Sequence, residues 1–168
     1  MKPVFEWSTL ARPDRCVVEL YDSDAYTDDD AALAASESQT VAGNGSHIYI
    51  RSLQPDIRVA VVLRLWSAPQ PSPVDVEATR PVALASPTGE LVVNQFTLGP
   101  AGTVQLPRPG IYEGHASWTD RRATADYYER ILEDAEGWEG EQFSQAWQDC
   151  PTRETYAFDL WLTEEVPR

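Results

Sequence analysis

Five aspartates fall within the ten residues Y-D-S-D-A-Y-T-D-D-D: Asp22, Asp24, Asp28, Asp29 and Asp30. Carboxylates at this density are the ligands a hard cation such as calcium takes, six to eight oxygens at a time. The spacing fails the helix-loop-helix calcium pattern, because Tyr26 stands at its third acidic position and Thr27 where its glycine belongs. Three readings follow: a calcium site completed from other turns by Asp56, Asp75 or Asp120, an acidic surface that meets a basic partner, or a solvated loop.

Acid-base and nucleophilic chemistry has little to work with. The chain has two histidines, His47 and His115, each inside a predicted strand. Glu113, His115 and Ser117 alternate onto one strand face, but a strand histidine is ordinarily a surface residue. Gly-x-Ser-x-Gly, paired-cysteine zinc spacing, His-Glu-x-x-His and a phosphate loop are all missing. No catalytic residue, metal or cofactor is assigned, and the protein is expected not to be an enzyme.

Acidity returns later in the chain. Asp120 to Asp149 holds nine acids against Arg121, Arg122 and Arg130, among them Glu133, Asp134, Glu136, Glu139 and Glu141. Asp14 to Glu37 holds eight against Arg15, so two stretches carry 17 of the 27 acids. Clustered acids on a rigid frame can copy a nucleic-acid backbone and occlude a basic enzyme, with steered association; acids spread for solubility need no partner. Six tryptophans accompany them, Trp7, Trp66, Trp118, Trp138, Trp147 and Trp161. Exposed ones would make hot spots or a sugar-stacking platform, whereas helices folded over a sheet would bury them.

The elements that must position these groups are mostly strands. Short alternating segments bounded by Gly, Pro, Asn or Asp predict strands at Val4–Trp7, Cys16–Tyr21, Ser38–Ala42, His47–Arg51, Ile57–Trp66, Arg80–Ala85, Glu90–Phe96, Thr103–Leu106, Gly110–Trp118 and Thr155–Leu162. Ile57, Val59, Val61, Leu63 and Leu65 mark one inward face, and Tyr156, Phe158, Leu160 and Leu162 another. Tyr127, Tyr128, Ile131, Leu132 and Ala135 recur at helical spacing, with Thr124 as the expected N-cap and Gly137 as the stop. Phe143 and Trp147 stand four apart in a second helix, Glu139–Gln148. The fold class predicted is all-β, an antiparallel β-sandwich in one domain over residues 1–168, with a short acidic helical insertion at about 120–150 before the last strand.

At 168 residues with 42% apolar content, the chain can build a core without metal or disulfide. Its formal charge of -14 argues against direct nucleic-acid binding, which needs a positive footprint. The longest apolar run, Val59 to Trp66, is too short to span a bilayer, and no signal-peptide order is visible. A cytoplasmic protein with free thiols is expected, with a Cys16–Cys150 disulfide as the alternative.

The segments Val104-Gln-Leu-Pro-Arg-Pro-Gly-Ile-Tyr112 and Glu154-Thr-Tyr-Ala-Phe-Asp-Leu-Trp161 resemble the ending of small bacterial β-sandwich proteins of the ComJ type. That is a nuclease-inhibitor family linked to competence, with relatives among toxin-immunity proteins. The resemblance covers about 60 residues and implies a non-enzymatic inhibitor with a protein partner. Charge and resemblance together predict an acidic module that binds a basic nuclease or toxin. Asp22, Asp24, Asp28, Asp29, Asp30, Glu133, Asp134, Glu136, Glu139 and Glu141 would supply the field, and Trp138 and Trp147 the anchors. The rival readings are a calcium- or carbohydrate-binding module and a structural subunit of a larger assembly.

Overall fold

The computed structural model describes residues 1–167. Along them run β1 (Phe5–Ala11), β2 (Val17–Asp22), α1 (Asp30–Gln39), β3 (Val41–Gly43), β4 (His47–Arg51), β5 (Val59–Trp66), β6 (Ala78–Ser86), β7 (Glu90–Asn94), β8 (Pro100–Gln105), β9 (Gly110–Thr119), α2 (Arg121–Asp134), α3 (Gly140–Gln148) and β10 (Thr155–Glu165). The strands form two five-stranded sheets, ordered β1-β5-β10-β9-β6 and β3-β4-β2-β7-β8. No helix among the described residues is long and apolar enough to cross a membrane.

Period-two alternation builds the core. Val59, Val61, Leu63 and Leu65 of β5 and Tyr156, Phe158 and Leu160 of β10 are buried, and they join Val18, Leu20, Ile48, Ile50, Leu91 and Val93 of the other sheet in one cluster. The inner faces of the two sheets therefore share a single core, in which each fully buried large side chain contributes about 1.5–3 kcal/mol relative to exposure.

Three local expectations fail. Strand β10 pairs antiparallel with β9 but parallel with β5, with Phe158 beside Leu63. After the insertion the chain re-enters at the end of the sheet where β5 also begins, so both run the same way. Ser38 and Gln39, expected in a strand, close helix α1, and the strand begins only at Val41. Asp29 caps that helix by accepting from the Ala32 N–H, and the alanine-rich sequence after it favours the helix. Finally, Ala157 and Asp159, expected to face water, are buried. Asp159 accepts from Trp66 Nε1 at 2.9 Å and lies 3.5 Å from Arg64 on the outer face.

Strands β9 and β10 meet most closely at Gly114, opposite Leu160. A methyl group there would collide with the Asp159 carbonyl. Gly114→Ala should therefore cost about 1–3 kcal/mol in urea unfolding, the range for overpacking. Gly140→Ala, at a position open for 4 Å around, should be neutral or slightly stabilising.

Candidate partner-binding site

The aspartate segment sorts into structural and outward-facing residues. Asp22 ends β2 with none of its surface exposed, which corrects its expected place in a solvent-facing patch. Its Oδ2 accepts from the Ser86 hydroxyl at 2.6 Å and from the Thr88 hydroxyl and backbone N–H at 2.8 and 3.0 Å, and its Oδ1 accepts from the Asp24 N–H at 3.0 Å. Burial alone would raise its pKa, but these donors outweigh it and hold the carboxyl below its ordinary value. Asp29 is engaged as well, by Ala32 N–H and by Asn44 Nδ2, and the Ala32 bond is the main reason its pKa is lowered. Asp24, Asp28 and Asp30 remain exposed.

Beneath this segment and α1 lies the outer face of the second sheet. His47, expected at the surface, has no exposed area and stacks on Tyr49 with ring centroids 4.4 Å apart, with Tyr21 at 4.9 Å and Tyr26 at 5.6 Å. Glu19 Oε1 lies 3.8 Å from His47 Nε2, while Glu19 Oε2 accepts from Asn94 at 2.9 Å. This is an acid-base pair in composition, but with Glu19 only 1% exposed no substrate reaches it. The segment is a cover over a buried polar layer rather than a free loop. The calcium alternative meets an obstacle here, because protein donors already hold Asp22. Among the described residues no three His, Cys, Asp or Glu side chains converge as a metal would require. Cys16 and Cys150 are both free thiols.

The insertion is anchored at the opposite end of the sheets. Asp120, not Thr124, stands at the N-cap of α2, and it has a left-handed backbone at φ 58°. Thr124 is buried one turn inside the helix, sharing a 2.8 Å hydroxyl contact with Thr152. Arg121 donates its Nε to the Arg51 carbonyl and its backbone N–H to Glu77. Nearby, Glu154, fully buried, accepts from Tyr156 OH at 2.5 Å and Gln54 Nε2 at 3.3 Å. Burial pushes its carboxyl pKa up despite these donors. Helix α3 opens on a capping box in which Glu139 and Gln142 satisfy each other's backbone N–H groups.

Aromatic contacts hold the two helices together. Tyr128 stacks on Trp147 at 4.8 Å, Phe143 lies 5.9 Å from Trp147, and Trp138 meets Phe143 edge-on at 5.5 Å. The Tyr127 hydroxyl donates to the Ala146 carbonyl across the pair. Around this half-buried cluster Glu133, Asp134, Glu136, Glu139 and Glu141 are all exposed. None of the five forms an ion pair among the described residues.

The aspartate segment starts at the end of the sheets opposite the insertion. Asp22 binds Ser86, which pairs with Gly110 at one end of β9, whereas the insertion leaves the other end of β9 after Thr119. Nine residues of extended strand separate the blocks by roughly 30 Å. Trp7 and Trp118 belong to the core, and Trp66 and Trp161 stand side by side on the outer face of the first sheet.

Two mostly antiparallel sheets around one core, with helices between β9 and β10, make a β-rich fold. No protein-family model and no curated protein matches the chain. Among solved structures it is similar to ComJ, inhibitor of the DNA degrading activity of NucA, from Bacillus subtilis. The TM-score is 0.59 at 12% identity, over 96% of this chain and 98% of that one. It is also similar to the crocagin biosynthetic gene J product, with a TM-score of 0.53 at 16% identity over 95% and 99% of the two chains. At such identities the likeness is one of fold.

Asp22→Asn should lower stability by about 2–3 kcal/mol at neutral pH, because it removes the charged acceptor of a buried hydrogen-bond network. Since the folded carboxyl is depressed, its contribution is present above the ordinary aspartate pKa of about 3.9 and is lost as pH falls through the lowered value. Urea unfolding across acid pH should show the gap between the two proteins closing on the acid side.

Proposed function

We infer that this protein is a non-enzymatic, cytoplasmic inhibitor of a basic DNA-degrading nuclease, and that it docks through the helical insertion. One observation carries the reading. Glu133, Asp134, Glu136, Glu139 and Glu141 stand exposed around Trp138, on helices that belong to a fold similar to that of a nuclease inhibitor. Unpaired acids beside an aromatic anchor give both halves of a tight interface, a field that steers the encounter and a ring that fills a pocket.

The aspartate segment takes a lesser part. Asp24, Asp28 and Asp30 lie at the far end of the sheets and add to the long-range field, not to the contact. Asp22 and Asp29 are occupied within the protein and leave the docking set. Trp147, stacked on Tyr128, supports the hairpin from within. The buried pair of Glu19 and His47 is closed to substrate and is given no catalytic role.

The test is a DNA-degradation assay with NucA and a panel of other basic nucleases. The protein in molar excess should suppress degradation by at least one of them. The combined Glu133→Lys, Asp134→Lys and Glu136→Lys variant should need about tenfold more protein for the same effect and show a flatter salt dependence. Undiminished DNA degradation across the panel would remove the inhibitor reading. Unchanged potency of the variant would move the contact away from the insertion.

A further inference from the structure

A second feature of the insertion end gathers basic side chains in a chain that is acidic as a whole. Between the helical pair and the body of the protein opens a cleft of about 840 Å³, within the size range of small-ligand sites. One wall is apolar, made by Leu132 of α2 and by Phe143 and Trp147 of α3, with Leu10 of β1 facing them. Leu10 and Leu132 are 44% and 48% exposed.

The other wall carries Arg12, Arg58 and Arg153, and Asp56 is its one acid. Both Asp56 oxygens are occupied, Oδ1 by Arg12 at 2.7 Å and Oδ2 by the Tyr128 hydroxyl at 2.7 Å. Asp56 therefore neutralises Arg12 and offers little to the other two. Arg153 Nη1 reaches the Arg58 carbonyl at 3.4 Å, which sets the two residues side by side. Among the described residues neither guanidinium forms an ion pair, although acids outnumber basic residues 27 to 13 along the chain. Arg58 and Arg153, both exposed and lining the same cleft as Phe143 and Trp147, are complementary to an anion attached to an apolar body. A guanidinium suits a planar oxyanion, to which it can donate two parallel hydrogen bonds.

We propose that this cleft is a binding site for a small apolar carboxylate, with the anion on Arg58 and Arg153 and the ring or chain against Leu10, Leu132, Phe143 and Trp147. The site is independent of the nuclease reading, since it uses the inner side of the helical pair and not the outward acids. Its occupant would bridge the insertion to the strand ends and so fix how the helices sit on the body.

Calorimetric titration of the whole protein with 2-naphthoate and with decanoate separates the two sources of this chemistry, an aromatic acid and an acyl chain. Saturable binding of either at one site per chain is expected, and the tighter one names the class. Naphthalene-2-carboxamide, which has the same ring but no charge, should bind about tenfold more weakly than 2-naphthoate. Arg58→Ala and Arg153→Ala should each cost a similar factor, while Arg58→Lys should keep part of the affinity. Should an alanine variant fail to fold, the Trp147 indole N–H resonance of the unmodified protein decides, because it should move as 2-naphthoate is added. Neither acid binding, the amide binding as tightly as the acid, or a Trp147 resonance that stays still at saturation would each overturn the proposal.

Discussion

Two buried carboxylates clamp the sheets to one another, one at each end, and the aspartate segment and the helical insertion adjoin these clamps. At one end Asp22, the last residue of β2, accepts from Ser86 at the end of β6 in the other sheet. At the opposite end Glu154, just before β10, accepts from Tyr156, whose hydroxyl also lies 3.3 Å from the Arg51 carbonyl of the other sheet. Taking a carboxylate out of water costs several kcal/mol unless donors replace the lost hydration. The two clamps resolve that cost differently. Asp22 gathers enough donors to hold its pKa below the ordinary value, whereas burial prevails at Glu154 and raises its pKa. The aspartate segment begins at the first clamp, and the insertion closes at the second.

This arrangement explains why the acids, numerous as they are, do not act as one surface. The field of a chain with a net charge of -14 extends over a Debye length and would attract basic groups from any side. Contact is a shorter-range matter, decided by which acids project and what stands beside them. The insertion combines projecting acids with rings, while the aspartate segment spends part of its charge on capping α1 and on closing the polar layer around His47 and Glu19. Beneath the same insertion Arg58 and Arg153 line a cleft, so acidic and basic side chains stand on neighbouring parts of one end.

Much of the frame was legible from periodicity. The bounds of β4 at His47–Arg51 follow from its turn residues, and the inward faces of β5 and β10 from alternation. Helix α3 follows from the four-residue spacing of Phe143 and Trp147. What escaped depends on tertiary neighbours. An aspartate in a run of aspartates looks solvated until Ser86 and Thr88, more than sixty residues away, supply its donors. His47 alternates as an outer-face residue should, but α1 and the segment before it cover that face. The helix itself had a local signal in Asp29 followed by alanines, obscured by its weak amphipathicity. The parallel pairing of β10 with β5 and the meeting of Arg58 with Arg153 arise from topology, which spacing along the chain does not reveal.

The division of the acids into clamps and presented residues is tested most directly by carboxyl titration, following side-chain carbon resonances by NMR across acid and neutral pH. Asp22 should titrate below the ordinary aspartate value, Glu154 above the ordinary glutamate value, and the two shifts should have opposite sign in the same sample. Ordinary values for both would mean that neither carboxylate is held as described, and would contradict the account of how the two ends of the fold are fixed.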